Sequence, residues 1–160
     1  MTRAGSQGTD ADIDGTGIKV AIISARFNDH IVTALRDGAR RGLARIGVAD
    51  SDVLEAWVPG AFELPLAAKA IAGTGKVDAV VCLGTVIRGD TPHFDYVCAE
   101  AARGIQDAQM STGVPVMFGV LTVETEQQAI DRSGPGGDNK GDEAAVGAVE
   151  MALLLRCLRA

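Results

Sequence analysis

Four short apolar runs, rich in β-branched residues and separated by segments of helical periodicity, constrain this chain more than any other feature. They are residues 18–24 (IKVAIIS), 53–58 (VLEAWV), 79–85 (AVVCLGT) and 114–122 (VPVMFGVLT). Runs of this kind read as strands buried on both faces of a sheet. Between the first two, Ile31, Leu35, Ala39, Leu43 and Ile46 fall on one face of a helix. Asn28 or Asp29 offers its N-cap, and Gly47 stops it. Pro59 and Gly60 break the second strand, and a short helix runs from Leu64 to Gly73. After the third strand, a loop over 86–93 leads to a helix from about Phe94 to Met110. Thr125 caps a short helix that ends near Asp131, and SGPGGD links it to a last helix over about 139–158. The order β-α-β-α-β-α-β-α-α predicts right-handed crossovers. It implies one α/β domain, a three-layer αβα sandwich around a four-stranded parallel sheet. The domain spans residues 18–160, and residues 1–17 read as a flexible tail.

Composition agrees with that architecture and removes several functions. Aromatic residues make up only 4% while glycine reaches 20 residues. Such a core, built from Val, Ile, Leu and Ala with many tight turns, suits layered α/β packing better than a β-sandwich. A net charge of −6 lacks the basic face that nucleic acid requires. An anionic substrate needs only a few converging cations. No apolar run is long enough to span a membrane, and the polar, Gly-rich start is not a signal peptide, so the expected location is the cytoplasm. Cys82, Cys98 and Cys157 form no CxxC pair and read as free thiols of a reducing compartment.

Several motif look-alikes fail on context. GTGKV at 73–77 has Val77 where a phosphate-binding loop needs Ser or Thr. GTG at 15–17 precedes a strand instead of following one, so it is no dinucleotide fingerprint. RGD at 88–90 would suit adhesion only if exposed outside the cell. His30 and His93 have no Cys or carboxylate at ligand spacing, so no metal site is expected.

In a parallel sheet, ligands bind beyond the C-terminal ends of the strands. Phe27 and Asn28 follow the first strand, Ala61, Phe62 and Glu63 the second, and Arg88, Thr91 and His93 the third. His93 is the candidate for proton transfer, since an imidazole gives and takes protons near neutral pH; the alternative is a satisfied surface or capping histidine. Gly89, Asp90 and Thr91 precede a helix start, where backbone N–H groups and a hydroxyl suit a phosphate; an ordinary capping turn would look the same. Arg132 at a helix end is either a bidentate phosphate ligand or a solvated charge. The residues alone do not choose a substrate.

The stretch VIRGDTPHFDYV at 86–97 resembles the signature of the lumazine synthases. ARFN at 25–28, PGAFELP at 59–65, FGVLT at 118–122, AIDR at 129–132 and NKG at 139–141 match further family blocks in the family's order. The resemblance covers nearly everything from Ile18 onward and implies a flavodoxin-like fold. It implies that Phe27 stacks on a pyrimidine beside Asn28, and that Ala61, Phe62 and Glu63 hold a ribityl chain. Thr85, Val86 and Ile87 become further substrate contacts. Gly89, Asp90 (through its backbone) and Thr91 cradle a phosphate, with Arg132 as the positive partner. His93 becomes the proton shuttle, and Phe118 and Lys140 match positions that a neighbouring subunit lends. Two departures stand out: Gln127 and Gln128 where the family commonly has Glu-Gln, and GPGGDNKG from Gly134 where it has a GTKAGNKG-type link.

The resemblance further implies two small-molecule substrates, 5-amino-6-ribitylamino-uracil and 3,4-dihydroxy-2-butanone 4-phosphate, condensed to 6,7-dimethyl-8-ribityllumazine without a cofactor. It implies a homo-oligomer with sites at subunit interfaces. A pentamer is expected; a 60-mer icosahedral cage is left open and slightly favoured, and riboflavin synthase is a candidate partner. The competing reading is a flavodoxin-like module that binds a flavin or lumazine without catalysis and has no need of His93.

Overall fold

A computed structural model describes residues 12–160. Four strands, β1 (Val20–Ala25), β2 (Val53–Val58), β3 (Ala79–Ile87) and β4 (Val116–Val123), form one sheet in the order β2-β1-β3-β4. All neighbouring pairs are parallel. The helices are α1 (Asp29–Arg45), α2 (Leu64–Ala72), α3 (His93–Thr112), α4 (Glu126–Asp131) and α5 (Lys140–Arg159). This is the expected three-layer α/β sandwich.

Alternate side chains of a strand leave opposite faces, and the two apolar clusters follow that alternation. Val20, Ile22, Val81 and Leu83 meet Ile31, Leu35, Ala39 and Leu43 of α1 and Ala145, Ala148 and Val149 of α5 on one face. Ala21, Ile23, Val80 and Cys82 meet Leu64 and Ala68 of α2 and Ala101, Ile105 and Ala108 of α3 on the other. The chain leaves β1 toward β2 and later crosses back to β3 and β4, so the strand order reverses between β1 and β3. Such a reversal opens a crevice beyond the C-terminal ends of the two strands.

Helices α1 and α5 approach closely because α1 carries glycines in its buried stripe. Gly38 and Gly42 lie beside Leu35, Ala39 and Leu43. A Cβ at Gly38 would collide with the Asn139 side chain, and one at Gly141 with the Leu35 carbonyl. Arg45 then makes a two-pronged ion pair with Asp142, at 2.7 and 2.8 Å.

Several expected boundaries move. β3 continues through Val86 and Ile87, which pair with Thr122 and Val123. These two residues are therefore strand, not loop. His93 opens α3 instead of preceding it. Asn28 does stand at the N-cap of α1, but in the left-handed conformation (φ 61) and with no side-chain capping bond. Residues 12–17 of the expected tail pack against the end of α1. The Gly15 N–H bonds the Ile46 carbonyl at 2.7 Å, and Ile13 is buried in the cluster that contains Val48. The rest of that tail, 1–11, lies outside the described residues. Among the described residues, no helix is long and apolar enough to cross a membrane.

Candidate active site

Ligand chemistry gathers in two concavities with no lining residue in common. The first is a cleft of about 640 Å³ beyond the C-terminal ends of β1, β2 and β3. Phe27, Asn28, Ala61, Phe62, Glu63, Thr85, Val86, Ile87, Gly89, Thr91 and His93 all line it. Asp90 does not, although it belongs to the same turn. The second, about 840 Å³, runs along β4 and the start of α5 and is lined by Phe118, Arg132 and Lys140. Arg132 thus sits with Phe118 and Lys140, away from the Gly89–Thr91 turn with which its expected role groups it.

The floor of the cleft is built by backbone demands. The Asn28 side chain donates to the Thr85 carbonyl at 3.0 Å, tying the exit of β1 to the end of β3 across the crevice. Asparagine tolerates the left-handed region better than other side-chain-bearing residues, so one residue makes both the turn and the tie. Thr85 Oγ1 is buried without a hydrogen-bond partner among the described residues. A buried hydroxyl in that state is costly unless something in the cleft bonds it.

The walls come from two turns. Ala61–Glu63 forms a 3-10 turn closed by Glu63 N–H to the Gly60 carbonyl at 3.2 Å. The Glu63 carboxylate folds back over Gly60, where a Cβ would come 3.3 Å from its Oε2. Opposite, Thr91 Oγ1 accepts from the His93 N–H at 3.4 Å, a long contact that leaves the hydroxyl free to serve a ligand. His93 lies exposed on the first turn of α3. Phe27 and Phe62 project into solvent at the rim, 73% and 57% exposed. Large apolar rings left this open around a cleft mark a binding surface.

Arg88 belongs to the scaffold. Its Nε donates to Glu124 at 2.7 Å, its Nη1 to Asp95 at 3.3 Å, and the guanidinium lies 4.3 Å from the Phe94 ring centroid. The bond to Glu124 raises its pKa further. An RGD motif whose arginine is engaged in this way is poorly suited to adhesion. Cys98, one turn into α3, has its thiol pKa raised by burial and then by Asp95, so it is a poor nucleophile.

In the second concavity, Arg132 caps the C-terminus of the six-residue α4. Its Nη1 donates to the Gln128 carbonyl at 2.9 Å, and among the described residues it has no carboxylate partner. Gln128 completes a capping box with Thr125, so this helix start holds with an amide there. Gln127, the departing position, donates to Asp131 at 2.8 Å. Lys140 pairs with Glu143 at 2.7 Å.

Tyr96 joins the cleft although the sequence pattern does not single it out. It lines the cleft at 71% exposure. Its signal was its place three residues after His93 on a helix, which puts both on one face.

A family model described as 6,7-dimethyl-8-ribityllumazine synthase matches residues 17–156, nearly the whole chain.

Proposed function

The chain belongs to the 6,7-dimethyl-8-ribityllumazine synthase family, whose product lies in riboflavin biosynthesis, and on that premise we propose how its residues divide the work. The pyrimidine stacks on Phe27 in the cleft beside Asn28, against Thr85, Val86 and Ile87. The buried Thr85 hydroxyl finds its missing partner in the bound substrate. Ala61, Phe62 and Glu63 hold the ribityl chain, whose hydroxyls need fixed donors and acceptors. Gly89, Asp90 (by its backbone) and Thr91 receive the phosphate of the four-carbon sugar, while Phe118, Arg132 and Lys140 reach the same substrates from an adjacent subunit.

The reaction needs proton movement more than an electrophile. The pyrimidine amine attacks the ketone, and the carbinolamine loses water to form an imine. Phosphate then leaves, and the second amine closes the ring with loss of another water. His93 carries protons between these steps. Holding two substrates in register lowers such barriers by several kcal/mol, in line with the roughly 7–11 kcal/mol available to well-oriented reactants.

One observation carries this reading: the groups suited to stacking and proton transfer line one concavity, and Arg132 and Lys140 line another. A closed ring sets one subunit's β4 edge against its neighbour's cleft and covers exposed sheet edges. We therefore propose a pentamer, with the 60-mer cage as the larger assembly, in the cytoplasm, and riboflavin synthase as a partner. Sedimentation and light scattering test it. A particle of about five or about sixty subunits supports a ring, whereas an active monomer removes the shared site.

A further inference from the structure

We propose that Asn139 is a positioning residue for the reaction, acting through Arg132; this rests on the reading above, in which Arg132 binds the sugar phosphate. Asn139 is 3% exposed. Its Oδ1 accepts from the backbone N–H groups of Gly141 (2.8 Å) and Asp142 (3.1 Å) and so caps α5. Capping needs only an oxygen, and Ser, Thr or Asp would supply one. The other half of the carboxamide has a separate task. Nδ2 donates to the carbonyls of Ser133 (2.9 Å), Gly134 (3.1 Å) and Ala34 (3.1 Å). Two of these follow directly after Arg132, and the third lies on α1.

The loop from Arg132 to Lys140 is also closed at its mouth, where the Lys140 N–H bonds the Arg132 carbonyl at 2.9 Å. The carboxamide fills the inside of that loop and pins it to α1. Gly38 keeps α1 clear for it, since a Cβ there would strike the Asn139 side chain. Arg132 has little else to fix it. It is exposed, at the end of a six-residue helix, and among the described residues its guanidinium makes one bond, to the Gln128 carbonyl. Where the charge points therefore depends on where the backbone after it is held.

Asn139→Asp keeps the capping oxygen and removes the amide donors, and Asn139→Ser keeps an oxygen while replacing the two amide hydrogens by a single hydroxyl on a shorter side chain. The test is steady-state kinetics on the assembled protein, with the Michaelis constant of each substrate measured separately. The Asn139 variants are expected to raise that of the sugar phosphate about 10-fold, within the ~10²-fold that a misplacement of roughly 1 Å can cost, and to leave that of the pyrimidine nearly unchanged. In an Arg132→Ala background, Asn139→Ser is expected to add nothing. Equal changes for both substrates, no change for either, or an effect that persists in full without the Arg132 side chain would overturn the proposal. Should both Asn139 variants fail to assemble, Gly38→Ala crowds the same carboxamide from α1 and carries the same expectation. Failure of the underlying reading shows separately: Arg132→Ala alone would then leave the sugar-phosphate constant unchanged.

Discussion

The cleft beyond β1–β3 and the concavity along β4 and α5 have opposite characters. The cleft has rings, an imidazole, a carboxylate and a buried hydroxyl, and among the described residues no lysine or arginine lines it. Among the described residues the concavity is lined by Arg45, Arg132 and Lys140 together with Asp142, Glu143 and Glu150, and by no histidine; Arg45 pairs with Asp142 and Lys140 with Glu143, which leaves Arg132 as the cation without a carboxylate partner. A phosphate-bearing substrate brings charge that the cleft does not neutralise, and the condensation needs proton transfer that the concavity does not offer. That separation of chemistry on one small domain is what the proposed shared site, completed by a second copy of the subunit, would account for.

The contrast breaks most sharply at His93. His93→Ala is expected to lower turnover about 10²- to 10⁴-fold, the usual contribution of a general acid–base, with substrate binding largely kept. Turnover at the wild-type rate would remove the shuttle. Refolding His93→Ala together with Arg132→Ala should give, at low sugar-phosphate concentration, more activity than the two variants assembled separately, because about a quarter of randomly formed interfaces in a ring then combine an intact cleft with an intact concavity. No such gain in mixtures shown to contain both subunits would place His93 and Arg132 in the same subunit's site.

Arg132→Ala by itself comes next. A hydrogen bond to a charged group contributes about 1.5–3 kcal/mol, so the Michaelis constant of the sugar phosphate should rise roughly 10- to 100-fold. A matching rise for the pyrimidine would blur the division between the two regions. Phe27→Ala is the reciprocal probe. Loss of an aromatic partner is worth about 0.5–1.5 kcal/mol, a rise of about 2- to 12-fold in the Michaelis constant of the pyrimidine, with the sugar phosphate spared.

The last expected effect is on stability and leaves the two regions untouched: it comes from Cys82, buried in β3 of the shared sheet. Burial pushes its thiol from 9.0 up to about 12. The unfolded chain therefore releases this proton first, and the contribution to stability present below pH 9.0 falls as pH rises toward 12. Denaturant unfolding of Cys82→Ala should show a shallower loss over that range than the wild type. Identical slopes would mean that the thiol is less sheltered than its position suggests.

Much of this was legible in the chain. The strands announced themselves as apolar runs, and Leu35, Ala39 and Leu43 gave the buried stripe of α1. The cleft was legible because most of its residues lie at or just after strand ends. What stayed hidden was set by tertiary pairing. Val86 and Ile87 look like the start of a loop until Thr122 and Val123 offer them partners. Arg132 looks like a companion of the Gly89–Thr91 turn because periodicity carries no information about strand order. Tyr96 and Asn139 were passed over because a ring on a helix and a cap before one each have an ordinary explanation.

The left-handed backbone at Asn28 bears on how relatives of this chain should be read. Among the described residues it is the one non-glycine position with positive φ, and other side chains there would cost roughly 1–2 kcal/mol. Its alphabet is thus narrowed to Asn, Asp and Gly before any substrate arrives. Invariance at this position across an alignment would report a dihedral angle as much as a binding contact. A substitution by Gly, which frees the angle but removes the amide, separates the two sources of constraint.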